Sequence, residues 1–203
     1  MIPEPAPEPP YAGRGGDKLA FALRQFAVDP AGLACADLGA NVGGFTDCLL
    51  RAGADRVYAV DTGYGALAWR IRTDPRVVVM ERTNALHADP PEGGVGLVVV
   101  DLGWTPQRLA IPAAVRWLAP GGRIVTLIKP HYEASASGGA ARLRRGVLSE
   151  DEARAVAQRT LDAMPALGVD VLASARSPIT GGAGKGRRGN IEWLALVAPA
   201  AEG

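Results

Sequence analysis

Glycines and carboxylates that follow the first two predicted strands carry the clearest chemical signal in this chain. An apolar run that ends at Asp37 opens into a turn that contains Gly39, Gly43 and Gly44. A second apolar run ends on Asp61. In an open α/β sheet, ligands bind beyond the carboxyl ends of the strands, where a glycine turn approaches the ligand and an acid after the next strand holds ribose hydroxyls. The pattern therefore predicts a nucleoside-binding pocket.

The spacing of the glycines indicates which kind of nucleoside the turn would hold. It lacks the G-x-G-x-x-G arrangement that packs a helix N-terminus against a pyrophosphate. A ligand without phosphates fits better, and S-adenosylmethionine is the common one. We expect the glycine backbone around its methionine part, Asp61 on the ribose diol and Asn84 near the adenine, while Asp37 orders the loop. The predicted cofactor contacts are Asp37, Gly39, Asn41, Gly43, Gly44, Phe45, Asp61, Asn84 and Asp101.

Four charged side chains stand where elements of the predicted fold begin or end. Lys18 begins the first helix, and Glu192 begins the last strand. Asp101 and Lys129 end the fourth and fifth strands. Taken singly, each has an ordinary structural explanation, such as a loop cap or a solvated surface charge. Because the carboxyl ends of parallel strands meet at one edge of a sheet, Asp101 and Lys129 are expected at the edge that carries the nucleoside pocket.

Apolar periodicity predicts seven strands that alternate with helices. Unbroken apolar runs such as residues 98–100 are typical of a parallel sheet buried on both faces. The last two strands have no convincing helix between them and should pair antiparallel at one edge. We expect an α/β, Rossmann-like fold with a seven-stranded, mostly parallel sheet and an antiparallel edge strand. The predicted strands are residues 33–37, 56–61, 77–81, 97–101, 123–129, 169–175 and 191–197. A first helix is predicted from Asp17 through Phe26, and four more over residues 45–52, 65–72, 106–118 and 149–167.

Length and composition bound the rest of the organisation. The 203 residues are 48% hydrophobic and 21% charged, which predicts one domain over residues 11–203 after a disordered, proline-rich tail at residues 1–10. A net charge of +1 argues against a general polycation. Cys35 and Cys48 suit a reducing compartment better than a disulfide framework. With no signal peptide and no apolar run of about 20 residues, we expect a cytoplasmic protein without membrane contact.

Long stretches of the sequence resemble one enzyme family. Residues 11–197 are similar to the FtsJ-like ribose 2′-O-methyltransferases, and within them to the TlyA (haemolysin A) branch. The resemblance implies the class I fold of methyltransferases that use S-adenosylmethionine, with ribosomal RNA or ribosomal subunits as partners. The segments that carry it are residues 11–18 (YAGRGGDK), 37–50 (DLGANVGGFTDCLL), 57–69, 81–84 (ERTN), 128–130 (IKP), 177–181 (SPITG) and 189–192 (GNIE).

The resemblance also assigns roles to the four charged residues, because the family carries a Lys-Asp-Lys-Glu tetrad that matches Lys18, Asp101, Lys129 and Glu192. The reaction it implies is transfer of an activated sulfonium methyl to a ribose hydroxyl, whose proton leaves as the bond forms. A lysine accepts that proton only when it is neutral, and a neighbouring cation favours the neutral form. We expect Lys129 to be the base and Lys18 the nearby positive charge. Asp101 and Glu192 would fix the geometry.

Basic segments beside the predicted site are candidate RNA contacts. They lie in glycine-rich or irregular sequence, where loops can contact phosphates with affinity but little sequence information. Solvated surface is the competing interpretation. The aromatic side chains Tyr64 and Trp69 are ambiguous, and a core position is favoured for Trp69. The predicted RNA contacts are Arg14, Arg142, Arg145, Lys185, Arg187 and Arg188.

The chain departs from the TlyA pattern in places that bear on the substrate. TlyA-type proteins usually carry a small S4-type RNA-binding domain before the segment that matches residues 11–18, and here we expect only the proline-rich tail. An accessory partner that holds the RNA is therefore an open alternative. Gly13 stands where the family more often has serine, and residues 102–104 (LGW) stand where TlyA-like sequences tend to have Val-Ser-Phe. These changes would reshape the target-nucleotide pocket.

The leading interpretation is an RNA ribose 2′-O-methyltransferase that uses S-adenosylmethionine and acts on ribosomal RNA. The alternative is a cofactor-binding RNA-interaction or ribosome-assembly factor with little turnover, against which the complete tetrad counts. Two lysines at the reacting centre disfavour a small-molecule methyltransferase, and the lack of a long apolar or cationic amphipathic segment disfavours a membrane-lytic protein. His87 and His131 form no metal-ligand pattern with the cysteines, so no metal site is predicted. The oligomeric state and the target nucleotide stay open.

Overall fold

A seven-stranded sheet with helices on both faces forms the protein in the computed structural model, which describes residues 10–136, 147–182 and 189–201. The strands are β1 (Ala34–Leu38), β2 (Arg56–Val60), β3 (Val77–Met80), β4 (Val95–Val100), β5 (Leu118–Ile128), β6 (Val169–Arg176) and β7 (Trp193–Pro199). The helices are α1 (Gly15–Gln25), α2 (Gly44–Arg51), α3 (Trp69–Arg72), α4 (Gln107–Val115), α5 (Pro130–Ala136) and α6 (Glu150–Asp162), and a 3₁₀ turn covers Met164–Leu167.

The strand order is β3-β2-β1-β4-β5-β7-β6. The first five strands pair parallel, which confirms the predicted α/β architecture with its mostly parallel sheet. β6 forms the edge and pairs antiparallel with β7, as predicted for the last two strands. β7 also pairs antiparallel with β5, so the reversed strand is inserted between two others.

Buried side chains fill both faces of the sheet. One apolar cluster joins the sheet to α1 and α2, and a second joins it to α4 and the 3₁₀ turn. Trp117, just before β5, has no exposed surface and is among the largest side chains of this second cluster. Strands with apolar residues on successive positions are buried from both sides, which explains the unbroken apolar run in β4.

Some predicted helices differ from the observed ones. The helix predicted for residues 65–72 is reduced to the single turn α3, because the backbone is left-handed at Gly65 (φ +70°) and extended at Ala68 (ψ 138°), immediately before the turn. The interpretation of Trp69 as a core residue is wrong: its side chain is 76% exposed. The helix predicted through residue 167 ends at Asp162, and the chain continues as the 3₁₀ turn. Helix α5, directly after β5, was not predicted.

The topology decides which residues meet. The carboxyl ends of β1, β2, β4 and β5 lie at one edge of the sheet, because these strands are parallel. β7 runs the opposite way, so its amino end lies at that same edge. Helix α1 packs against α2, whose N-terminus follows the glycine turn after β1. Residues from the beginning of α1 and from the beginning of β7 are thereby brought to the edge where the parallel strands end.

Candidate active site

A buried ion pair joins the beginning of α1 to the beginning of β7. Lys18 Nζ donates to Glu192 Oε2 at 2.5 Å, and the two residues are 7% and 2% exposed. Gly181 makes room for the carboxylate, since a Cβ atom at that position would lie 1.9 Å from Glu192 Oε1. Gly181 is aligned by a backbone bridge to Asn190. The chain thus shapes this corner with a glycine where any other residue would displace the Glu192 carboxylate.

The second ion pair lies between the ends of β4 and β5. Lys129, directly after β5, pairs with Asp101 Oδ1, directly after β4. Lys129 Nζ also donates to the carbonyl oxygen of Leu102 at 3.1 Å. Both side chains are partly exposed, in contrast to the first pair. The amine of Lys129 is therefore aimed by two acceptors while it stays accessible from solvent.

Electrostatics places the two ion pairs in one neighbourhood. Burial raises the pKa of the Glu192 carboxyl, and the Lys18 ammonium opposes that shift. The more distant charges of Asp101 and Lys129 also act on Glu192, the first raising its pKa and the second lowering it. The structure thus brings together the four residues singled out by sequence, as two ion pairs that interact electrostatically.

A cavity of about 510 Å³ opens beside the second pair, within the size range of pockets for small ligands. Both members of that pair, Asp101 and Lys129, line it, and so do Asp61 and Asn84. Lys18 and Glu192 do not line it. The remaining lining residues are Gly39, Asn41, Val60, Thr62, Thr83, Ala85, Leu86, Leu102, Gly103, Trp104 and Thr105.

Asp61 is held in place by the glycine loop. Its Oδ2 atom accepts a hydrogen bond from the Asn41 N–H at 2.8 Å, and its Oδ1 atom accepts one from the Gly63 N–H at 2.7 Å. Each carboxylate oxygen keeps a second lone pair that can accept from a ligand hydroxyl. Gly39, with φ +100°, lies so close to β4 that a Cβ atom would be 2.6 Å from the Asp101 carbonyl oxygen. The loop therefore brings these residues to the cavity through tight backbone packing.

Four predicted cofactor contacts lie behind the cavity and do not line it. Asp37 is fully buried, and its Oδ2 atom accepts a hydrogen bond from the Thr46 hydroxyl at 2.6 Å. Burial raises the pKa of the Asp37 carboxyl to about 7, and its Oδ1 atom has no partner among the described residues. Gly43, Gly44 and Phe45 are also buried and begin α2.

The cavity fits a nucleoside that has no phosphates. Asp61 is a carboxylate suited to a ribose diol, and Asn84 adds a side-chain amide to the lining. Apolar surface for a flat ring comes from Ala85 and Leu86. Lys129 is the one basic side chain that lines the cavity in the described part of the chain, and Asp101 already pairs with it. Phosphate groups would find little positive charge here.

Aromatic side chains at the cavity mouth extend the set that the sequence predicted. Trp104 is 81% exposed and stacks on Tyr132, with ring centroids 4.5 Å apart. Lys129 Nζ lies 5.6 Å from the Tyr132 ring centroid. Tyr132 was not predicted as a site residue. Its position three residues after Lys129 would have placed it near the site only if a helix had been predicted directly after β5.

His131 is a further neighbour that was not predicted as a site residue. Burial, together with the smaller effect of the Lys129 and Lys18 charges, lowers the pKa of the His131 imidazole to about 4. Its buried Nδ1 atom has no hydrogen-bond partner within the described ranges. A neutral imidazole therefore stands close to both lysines.

Of the predicted RNA contacts, only Arg14 lies within the described residues. Arg14 is exposed, and its Nη2 atom donates to the Thr180 carbonyl oxygen at 2.6 Å, beside the Lys18–Glu192 corner. Arg142, Arg145, Lys185, Arg187 and Arg188 lie outside the described residues, as do residues 1–9 of the predicted tail.

The described ranges contain no group of three or more His, Cys, Asp or Glu side chains arranged to hold a metal ion. None of their helices combines the length and the apolar character needed to cross a membrane.

Comparison with known proteins bears out the family resemblance. YqxC of Bacillus subtilis (strain 168), described as a candidate rRNA methyltransferase, is 39% identical over 188 residues, which are 91% of this chain and 64% of that protein. The 16S/23S rRNA (cytidine-2′-O)-methyltransferase TlyA of Mycobacterium tuberculosis (strain H37Rv) is 48% identical over 125 residues, 61% of this chain and 47% of that protein. The chain thus spans less than two thirds of the length of either relative.

A solved structure of a candidate hemolysin from Lactococcus lactis superposes with a TM-score of 0.84 at 36% identity, covering 94% of this chain and 89% of that one. A family profile described as FtsJ-like methyltransferase matches residues 11–180. The chain therefore belongs to the FtsJ-like methyltransferase family.

Proposed function

We propose that this chain methylates a ribose 2′-oxygen of RNA, with S-adenosylmethionine as the methyl donor and ribosomal RNA as the substrate. One observation carries the proposal: the Lys129–Asp101 pair lines the same cavity as Asp61, a carboxylate that suits a phosphate-free nucleoside. The rRNA methyltransferases among the relatives support the substrate class.

The residues around the cavity fit S-adenosylmethionine. Asp61 would accept hydrogen bonds from the ribose diol, and Asn84 would lie at the adenine. Gly39 and Asn41 would border the methionine part with backbone groups. The bound cofactor supplies a methyl group that its sulfonium centre already activates. The buried residues Asp37, Gly43, Gly44 and Phe45 would shape the loop from behind.

The protein's own contribution is alignment and removal of a proton. Lys129 is held by Asp101 and by the Leu102 carbonyl, so its amine has a defined position from which to accept the proton of the ribose 2′-hydroxyl. It must be neutral at that moment. Lys18, held by Glu192, supplies the second positive charge of the site. Asp101 fixes the direction of the Lys129 amine.

The surface around the cavity has groups suited to RNA. The stacked rings of Trp104 and Tyr132 beside Lys129 offer a platform for the base of the target nucleotide. Arg14 lies beside the Lys18–Glu192 corner and can contact a phosphate. The segments with Arg142, Arg145, Lys185, Arg187 and Arg188 are proposed to add further phosphate contacts, and an accessory partner could hold the RNA in addition.

Transfer of labelled methyl from S-adenosylmethionine to unmodified ribosomal subunits and to naked ribosomal RNA tests the proposal. We expect label at a ribose 2′-oxygen, recognised by resistance of the adjacent phosphodiester bond to alkali. Lys129→Ala should reduce transfer at least about 100-fold, the size of a general-base contribution, while cofactor binding measured by calorimetry persists. Arg154→Ala, in an exposed pair on α6, is the matched control and should retain full activity.

One outcome would count against the assignment of the base, and another would count against the function itself. Near-normal turnover of Lys129→Ala with intact cofactor binding would show that Lys129 is not the base. Absence of transfer by the unaltered protein, despite binding of cofactor and RNA, would favour the interaction or assembly factor with little turnover.

A further inference from the structure

An exposed tyrosine and an exposed arginine are stacked outside the cavity. The Arg82 guanidinium carbon lies 4.1 Å from the centroid of the Tyr64 ring, and Tyr64 is 71% exposed. A planar guanidinium over an aromatic face is a favourable cation–π contact. Both residues are exposed, so the pair presents a flat surface to solvent.

The backbone holds this pair in place. The Arg82 N–H donates to the Gly63 carbonyl at 3.0 Å, and the Thr83 N–H donates to the Asp61 carbonyl at 2.9 Å. Arg82 has a left-handed φ of +53°, a conformation uncommon for residues other than glycine. The segment after β2 and the segment after β3 are therefore tied together, with Tyr64 on one and Arg82 on the other.

Arg82 differs from the other arginines of this region in its charge environment. Arg70, Arg72 and Arg76 each pair with a carboxylate, respectively Asp47, Glu81 and Asp74. Among the described residues, Arg82 has no carboxylate within ion-pair distance. The positive charge of Arg82 can therefore pair with an anionic group of a binding partner.

The location of the pair ties it to the candidate active site. Tyr64 lies two positions after Thr62, and Arg82 directly precedes Thr83; both threonines line the cavity. We call Tyr64 and Arg82 the Tyr64 surface.

We infer that the Tyr64 surface stacks an unpaired nucleobase of the RNA substrate, with Arg82 also neutralising a neighbouring phosphate. This inference rests on the proposed function. Single-stranded and looped RNA is recognised by stacking on aromatic rings and on arginine planes, which is the chemistry this surface displays. RNA is favoured over a protein partner because the arginine over this exposed ring has no carboxylate partner among the described residues, and its charge matches the phosphate beside a stacked base.

The experiment compares single substitutions on the full chain. Tyr64→Ala removes stacking area, Tyr64→Phe keeps it, and Arg82→Gln removes the charge with an equally unbranched side chain. Arg56→Gln, at the opposite end of β2, is the matched control for charge. Affinity for an unmodified ribosomal RNA fragment is measured by fluorescence anisotropy over a series of salt concentrations, and affinity for S-adenosylmethionine by calorimetry.

We expect Tyr64→Ala to weaken RNA binding about tenfold, which is the usual size of a stacking loss, and Tyr64→Phe to restore it. Arg82→Gln should weaken binding and lower the slope of log affinity against log salt by about one, whereas Arg56→Gln should change neither. Cofactor affinity should stay constant in all variants.

Failure of this inference and failure of the proposed function can be told apart. Unchanged RNA affinity of Tyr64→Ala and Arg82→Gln, in a protein that methylates RNA, would overturn the inference alone. Loss of cofactor affinity with constant RNA affinity would also overturn it, because the surface would then belong to the cofactor site. Weakened RNA binding by these variants in a protein without methyl transfer would support the surface and overturn the proposed function.

Discussion

Lys18 and Glu192 are 174 positions apart in the chain and form a buried ion pair, with Nζ and Oε2 at 2.5 Å. Two buried charges without a partner would each be costly, so each residue depends on the other for its place in the fold. The pair anchors the beginning of α1 to the beginning of β7 at the edge where the parallel strands end. Stability and the arrangement of the candidate active site are therefore coupled at this contact.

Removal of one partner of this pair should be strongly destabilising. We expect Glu192→Ala to lower the free energy of unfolding by about 3–5 kcal/mol, because Lys18 would remain as an uncompensated buried charge. Urea denaturation measures the change. Arg176→Ala, which breaks an exposed pair with Glu150, is the control and should cost less than about 1 kcal/mol. An equally small loss for both variants would contradict the buried-charge argument.

Gly181→Ala should affect the site more than the stability. The added Cβ atom would lie 1.9 Å from Glu192 Oε1, the mobile end of a side chain, so the carboxylate must move away and loosen its contact with Lys18. We expect methyl transfer to fall at least about tenfold, as misplacement of catalytic groups usually does. Gly182→Ala is the control for a general effect on this loop. A Cβ atom at Gly182 meets open space, and the only added cost is backbone strain at a φ of +67°. Unaltered activity of Gly181→Ala would show that the Glu192 geometry is not needed.

Asp37 should make the protein less stable as the pH rises. Burial raises the pKa of its carboxyl from 3.8 to about 7. The unfolded chain ionises first, so the contribution of the protonated folded form is complete below pH 3.8 and is lost as the pH rises towards about 7. Asp37→Asn removes this dependence. Its free energy of unfolding relative to the unaltered protein should therefore increase by about 4 kcal/mol between acidic and mildly alkaline buffer.

The measurement for Asp37 is urea denaturation of both proteins across this pH range. The Thr46 hydroxyl can still donate to the Asn side-chain oxygen, so the packing cost of the substitution should be nearly the same at each pH. A constant difference between the two proteins would show that Asp37 is ionised in the folded state.

His131 should make the protein less stable as the pH falls, which is the opposite of the effect of Asp37. Burial, aided by Lys129 and Lys18, lowers the pKa of its imidazole from 6.5 to about 4. The unfolded chain binds the proton first as the pH falls, so stability that is present above pH 6.5 is lost towards about 4. His131→Gln should flatten this acid limb by about 3 kcal/mol. The His131 signals in NMR titration check it directly, and an ordinary midpoint would refute the prediction.

Much of the fold and part of the site could be predicted from the sequence. Apolar runs place the strands within a few residues, because burial on both faces leaves a local record in each strand. Asp61, Asp101 and Lys129 could be placed at the cavity from their positions at strand ends, since parallel strands end at one edge. Asp37 shows the limit of this reasoning: it follows the same rule but lies buried behind the loop, because its side chain points to α2.

The sequence by itself determined the alternation of strands and helices, the glycine turn and the charges at the ends of the strands, because these depend on the spacing of neighbouring residues. The tertiary structure alone decided the insertion of β7 between β5 and β6, the meeting of Lys18 with Glu192 and the exposure of Trp69. These features depend on hydrogen bonds and packing between segments far apart in the chain, and local periodicity carries no record of which distant segment will be the partner.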